Sequence, residues 1–337
     1  MDQVRTGVIG LGMGQAHLRG YENAPNARTV AVCDIDENRL EEVVGNCDEI
    51  QKFTDTTEML NLPELDAVSI ALPNYLHAPI TIEALKAGKH VLCEKPMAMN
   101  SAEAMEMKET AEEAGLKLML HFNMRFMNTA ATLKPLLSSG SLGTIYHATT
   151  TYTRQNGYPK PGGWFGQKDK SGGGPMIDLG VHRLDLALWL MDYPRPVSVL
   201  GGVYDHLAQR KLADADFDCE DFSTGMIRFE NGATLYLTAS WDGYQPESTE
   251  ITMALYGTEG SAFERSGTLT YCHEKDGEAI SQRLEQRDPD ESPQEHFVRS
   301  ILEDIPPGPC AEHGVIVMKI LDAIYESART GHEVSIA

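Results

Sequence analysis

Asp178, His182 and Asp185 stand at i, i+4 and i+7 of an otherwise apolar run, residues 176–191, MIDLGVHRLDLALWLM. Read as one helix, the run is apolar nearly all round and should be buried, with the three ionisable groups on one stripe. Such groups cost several kcal/mol in a core unless they are paired or used. One reading is structural: a histidine held by a carboxylate and an ion-pairing aspartate. The other is a catalytic acid/base histidine with an orienting carboxylate, facing a cleft. Spacing alone leaves both open.

A second set of polar residues lies in the first half, each member at the end of an apolar run. Gly10-Leu11-Gly12-Met13-Gly14 follows VRTGVI. Asp34 ends TVAVC, Pro73-Asn74 end AVSIAL, and Glu94-Lys95-Pro96 end HVLC. A glycine turn between strand and helix lets a backbone approach a pyrophosphate, and an acid some 20 residues on suits a ribose. The third glycine, Gly14, comes one residue earlier than in the usual G-x-G-x-x-G spacing. Lys95 is the only cation of the set, and the proline after it fixes the backbone that carries it.

The elements that must position these residues alternate. Short strands are predicted at 4–10, 29–34, 51–53, 67–72, 90–93 and 116–121, with helices at 15–21, 78–87 and 101–114 between them. That alternation predicts a parallel sheet, whose ligands bind beyond the carboxyl ends of the strands. From about Asn123 the alternation stops. A helix at 128–137 and a strand at 144–153 lead to a Gly/Pro-rich loop, 154–171, carrying Tyr158, Trp164 and Phe165. A long aromatic loop of this kind is often a lid over substrate. After the helix at 176–191 come strands at 197–204, 223–229, 234–241, 249–256 and 269–272. Asn231-Gly232 and Asp276-Gly277 mark hairpins. Helices at 293–302 and 311–330 close the chain. The expected fold is α/β: a dinucleotide-binding domain at 1–122, then an α+β domain at 123–337 with an open, mostly antiparallel sheet.

The length of 337 residues suits two domains, and the net charge of −22 disfavours nucleic acid and anionic membranes as partners. Six cysteines, none in a C-x-x-C pair, fit a reducing compartment. No leader or membrane-length apolar run is seen, so a cytoplasmic protein is expected. No ligand set for a metal is apparent. His121, His147, His273, His296 and His313 are scattered singly and read as surface or satisfied core residues.

GVIGLGMGQAH at 7–17, EKP at 94–96 and GGGPMIDLGVHRLD at 172–185 resemble the Gfo/Idh/MocA family of NAD(P)-dependent sugar and polyol oxidoreductases. The resemblance implies a Rossmann domain, a substrate and oligomerisation domain, and a homodimer or homotetramer built through the second sheet. It implies catalysis by Lys95 and His182, with Asp178 orienting substrate or histidine, and a structural pairing for Asp185. Arg125, in FNMRF, matches a recurrent arginine near the site, and Trp164 on the loop is a candidate substrate contact. Cofactor contacts are expected from Gly10, Gly12, Met13, Gly14 and Asp34, and from Pro73, Asn74, His77, Glu94 and Lys95. The cofactor expected is NAD, with NADP possible: Asp34 is followed by Ile35 and Asp36, with no arginine at once to pair a 2′-phosphate.

The expected reaction is reversible oxidation of a secondary hydroxyl on a sugar, inositol or related polyol, with hydride passing to the nicotinamide. His182 would take the hydroxyl proton while Lys95 steadies the same oxygen. Alternatives are a relative that retains NAD while cleaving glycosides, and a non-catalytic sugar- or dinucleotide-sensing protein.

Overall fold

Six short runs build the first sheet of the computed structural model, which describes residues 2–45, 47 and 49–336. They are β1 Val4–Ile9, β2 Ala27–Cys33, β3 Gln51–Phe53, β4 Ala67–Ile70, β5 His90–Cys93 and β6 Leu118–Leu120. The order is β3-β2-β1-β4-β5-β6 and every pairing is parallel. Val8, Val68, Val91 and Leu92 have no exposed surface, as expected where helices cover both faces. The chain order reverses between β1 and β4, which places a switch point beside the glycine turn. Helix Ser101–Ala114 starts on Asn100, whose side chain accepts from Glu103 N, and stops at Gly115 at φ 66°. Two helices beside this sheet, Glu37–Val44 and Thr56–Leu60, lie outside the sequence reading. Each is capped by an aspartate, Asp36 and Asp55.

The chain divides into two compact units. The first runs to His121 and includes Glu291–Val315; the second comprises Phe122–Asp290 and the residues from Ile316 on. Helix Pro293–Leu302, in the first unit, begins with a capping box between Ser292 and Glu295 and with proline at its first turn.

The second unit holds a nine-stranded sheet. Its strands are β7 Ile145–Arg154, β8 Pro196–Tyr204, β9 Phe222–Phe229, β10 Thr234–Ser240, β11 Thr249–Gly257, β12 Gly260–Arg265, β13 Thr268–Lys275, β14 Glu278–Arg283 and β15 Val334–Ser335. The order is β14-β13-β12-β11-β7-β10-β9-β8-β15, antiparallel except for β7 with β10. Both predicted hairpin turns are present: Gly232 sits at φ 84° and Asp276-Gly277 at 56° and 81°. The sequence reading left out β12, β14 and β15. β14 is a largely solvated edge strand, where alternation is weak. β15 is only two residues long.

One face of this sheet is buried, with Leu235, Leu237 and Ala239 fully covered. Helix Ala311–Thr330 lies on that face: a Cβ on Gly201 would fall 2.4 Å from the Ile324 carbonyl oxygen. The opposite face is open. Leu200, Met226, Tyr236 and Thr149 line up across β8, β9, β10 and β7, and Leu200 and Tyr236 are about half exposed.

The predicted single helix at 176–191 is interrupted. A π-helical turn, Met176–Gly180, precedes an α-helix, Val181–Leu190. The turn inserts one residue, so Asp178 leaves the stripe that a continuous 3.6-residue helix would give it. Gly180 allows this: a Cβ there would stand 2.6 Å from the Met176 sulfur.

Candidate functional site

In the first unit the glycine turn joins β1 to helix Gly14–Asn23, which begins without any side-chain cap. Gly10 has φ 88°, and a Cβ on it would meet the Ala71 carbonyl oxygen at 2.5 Å. A Cβ on Gly14 would meet Val8 at 2.7 Å, whereas one on Gly12 would meet nothing within 4 Å. Two glycines thus serve close packing, and the third leaves open space before a ten-residue helix whose first amides lack side-chain partners. That arrangement suits an anionic pyrophosphate. Met13, 67% exposed, lies on the same open side of the turn.

Asp34 ends β2 and is almost fully buried. Its carboxylate accepts from Leu11 N at 2.7 Å and Asp36 N at 3.0 Å. Arg39 Nη1 lies 3.1 and 3.0 Å from its two oxygens. Burial pushes the Asp34 carboxyl up, but these backbone and guanidinium partners outweigh it and hold the pKa below the usual value. The sequence reading missed Arg39, which sits five residues on, across the first turn of helix Glu37–Val44.

Glu94 ends β5 and is shared by two imidazoles. His17 Nε2 is 2.9 Å and His121 Nδ1 2.8 Å from the same Oε1, while Oε2 accepts the Lys95 amide at 3.1 Å. His17 Nδ1 meets Ser69 Oγ at 3.0 Å, and Tyr21 donates or accepts at that same hydroxyl at 2.7 Å. Burial pushes the Glu94 carboxyl up, yet the two histidines bring it well below its ordinary value. Burial, with His121 beside it, lowers His17. The donor atoms of His17, Glu94 and His121 lie within 4.8 Å of one another. The sequence offered no such cluster, because its members end a helix turn and two strands 77 and 27 residues apart. The direct hydrogen bonds account for the arrangement without an ion.

Lys95, half-buried, is joined to Pro96 by a cis peptide bond. His77 does not present its ring to a cofactor as expected. It is buried, with Nδ1 2.7 Å from the Pro96 carbonyl and Nε2 2.8 Å from that of Leu72. Burial is the largest influence on its pKa and lowers it, against the pull of those two carbonyls. His77 thus lies between the turns that carry Pro73-Asn74 and Lys95, and its neutral ring donates to one of these two carbonyls. Asn74 opens a 3-10 turn, Asn74–Leu76, and is itself buried.

In the second unit His182 and Asp178 are half-buried. Trp241 Nε1 donates to Asp178 Oδ2 at 2.9 Å. Asp185 is fully buried and carries the structural pairing expected of it: Arg125 Nε and Nη2 reach its two oxygens at 2.9 and 2.6 Å, and Tyr193 OH adds a bond at 2.6 Å. Arg125, expected near substrate, is therefore a buried bidentate partner of Asp185, 6% exposed. Its guanidinium also lies over Phe122, Trp189 and Tyr193. Arg183, one residue after His182, forms a second buried pair with Glu264 at 2.6 Å. The helix bearing His182 is thus fixed by two ion pairs that spacing did not reveal.

The loop 154–171 is folded onto its own unit. Tyr158 packs edge-on to Phe217, and its hydroxyl is buried, so it belongs to the core of the loop. Trp164 is half-buried, 4.8 Å from the Phe165 ring.

Comparison with known proteins agrees with this arrangement. The Gfo/Idh/MocA model for an oxidoreductase family with an NAD-binding Rossmann fold matches residues 4–122, and the Gfo/Idh/MocA C-terminal domain matches 130–263. The chain is 30% identical to D-glucoside 3-dehydrogenase of Escherichia coli (strain K12), over 99% of this chain and 97% of that protein. It is 31% identical to scyllo-inositol 2-dehydrogenase (NAD(+)) of Bacillus subtilis (strain 168), over 80% and 76%. Levoglucosan dehydrogenase in complex with NADH and L-sorbose superposes with a TM-score of 0.89 at 25% identity, over all of both chains.

Proposed function

We infer that this chain, which belongs to the Gfo/Idh/MocA oxidoreductase family, is an NAD-dependent dehydrogenase that reversibly oxidises a secondary hydroxyl of a sugar, inositol or related polyol. The reading is carried by one observation. Likeness to a sugar dehydrogenase extends over 99% of the chain, whose sequence carries Glu94-Lys95-Pro96 and, four residues apart, Asp178 and His182.

NAD would be held by the open turn at Gly12, the amides before helix Gly14–Asn23, Asp34 and the Pro73-Asn74 turn. When bound it supplies the hydride acceptor. The chain supplies the rest. His182 takes the hydroxyl proton, imidazole being the side chain best suited to proton transfer near neutral pH. Lys95 donates to the oxygen as it gains negative charge. Asp178, steered by Trp241, accepts from a neighbouring substrate hydroxyl or orients the histidine. Trp164 is the substrate contact of the loop.

The first unit serves as the dinucleotide domain and the second as the substrate and oligomerisation domain. The open sheet face around Leu200 and Tyr236 is the surface for a homodimer or homotetramer, because apolar side chains in register across three strands, two of them about half exposed, are a costly surface to leave in water. No helix among the described residues is long and apolar enough to cross a membrane, and a cytoplasmic location is part of this proposal.

NADH formation with NAD and a panel of inositols, hexoses, glucosides, anhydrosugars and sugar acids tests the activity. Turnover of at least one member is expected. Glycoside cleavage without net NADH would favour a retained-cofactor reaction, and no turnover at all would favour a sensing role.

A further inference from the structure

We propose that Trp241 is a positioning residue for this reaction and that the segments packed on its ring, 154–166 and 217–221, set the aim of Asp178 through it. The proposal rests on the dehydrogenase reading above. Trp241 is fully buried, and its indole N–H donates to Asp178 Oδ2 at 2.9 Å. Its ring is the centre of an apolar cluster with Leu179, Cys219, Ala239, Phe165 and Phe217. The Phe165 and Phe217 ring centroids lie 5.8 and 6.0 Å away.

The backbone of the same residue is tied on both sides. Its amide donates to the Asp221 carbonyl at 2.9 Å, and its carbonyl accepts from Gly157 N at 2.6 Å. The fit beneath is tight: a Cβ on Gly166 would stand 2.5 Å from the Phe217 ring. One residue therefore joins the aromatic loop, the 217–221 segment and the carboxylate four residues before His182.

An indole is a donor only. It can stabilise Asp178 as a carboxylate and fix one oxygen, leaving substrate geometry to depend on where the ring is held. Changes in the loops move the ring, and the ring moves the carboxylate. Substrate preference can then vary through residues that never touch substrate.

Trp241→Phe keeps most of the apolar ring and removes the N–H. Wild type and variant are compared on whichever of levoglucosan, methyl glucoside or scyllo-inositol the wild type turns over. The expected result is kcat/KM for the polyol lowered roughly tenfold to a hundredfold. The loss should fall on the polyol alone, with KM for NAD unchanged. Phe217→Leu should move the polyol kcat/KM in the same direction by less. A purely structural role lowers the melting temperature and leaves kcat/KM of the folded protein unchanged, and that result overturns the proposal. The indole N–H resonance of Trp241 gives an arm free of turnover. Asp178→Asn should shift it, and an unmoved resonance overturns the proposal. If the wild type oxidises none of the three polyols, the dehydrogenase reading fails for these substrates while the resonance still decides the Trp241–Asp178 link.

Discussion

Replacing Arg39 with alanine should sharpen the preference for NAD over NADP. In the proposed function Asp34 is the acid that meets the ribose, and a lone carboxylate there would repel a 2′-phosphate. It is not alone: Arg39 Nη1 bridges both of its oxygens at 3.1 and 3.0 Å. A guanidinium roughly 6 Å from a phosphate of about 1.5 charges is worth about 1 kcal/mol in the dielectric of water and about 2 at half that value. The Arg39 side chain is 41% exposed, so the smaller figure governs. About 1 kcal/mol is roughly a fivefold change. In Arg39→Ala, kcat/KM with NADP should fall about fivefold relative to NAD, and the difference should shrink as salt is raised. Asp34→Ala should move the ratio the other way. Initial rates with each cofactor at two ionic strengths measure it. An Arg39→Ala enzyme with an unchanged or improved NADP ratio refutes the reasoning, because Arg39 would then only neutralise Asp34.

Trp164→Ala should raise KM for the polyol and leave NAD binding alone; dissociation of an oligomer at unchanged KM would make the loop an interface arm. Asp185→Ala removes the bidentate carboxylate partner of the buried Arg125 and should destabilise the protein by about 3–5 kcal/mol, read from denaturant midpoints; a loss under about 1 kcal/mol contradicts the assigned pairing. Acid should destabilise the fold in two steps. His17 and His77 have folded pKa values lowered from 6.5, first by burial, so below about pH 6.5 the unfolded chain binds protons that the native state refuses. Glu94, also lowered from 4.5, adds to the loss below about pH 4.5. Melting temperatures should hold steady above pH 7 and decline from about 6.5 downward; a flat profile from pH 7 to 5 contradicts the burial of neutral imidazoles.

The parallel sheet was legible because strand, turn and helix signals repeat with local spacing, and because glycines and strand-end acids sit where such a sheet needs them. The antiparallel sheet was legible where Asn-Gly and Asp-Gly turns join alternating runs. Four features escaped for physical reasons. The π turn at Met176–Gly180 depends on what packs against Gly180, which no local pattern encodes. The Arg125–Asp185 and Arg183–Glu264 pairs join residues 60 and 81 apart. Arg39 needed only the expectation that an N-terminal helix turn can fold back on Asp34. His77 is among the expected cofactor contacts, yet both of its ring nitrogens face backbone carbonyls.

The central claim is that His182 and Lys95 perform the chemistry. It is tested most directly by kcat and melting temperature measured together for His182→Ala, Lys95→Ala and the double variant. Each single change should lower kcat by roughly 10²–10⁴ with NAD affinity and melting temperature little altered. The double variant should be little worse than the poorer single, since groups that act as a unit are not additive. A His182→Ala protein with near-normal kcat and a lowered melting temperature would contradict the account and return the histidine to a structural role.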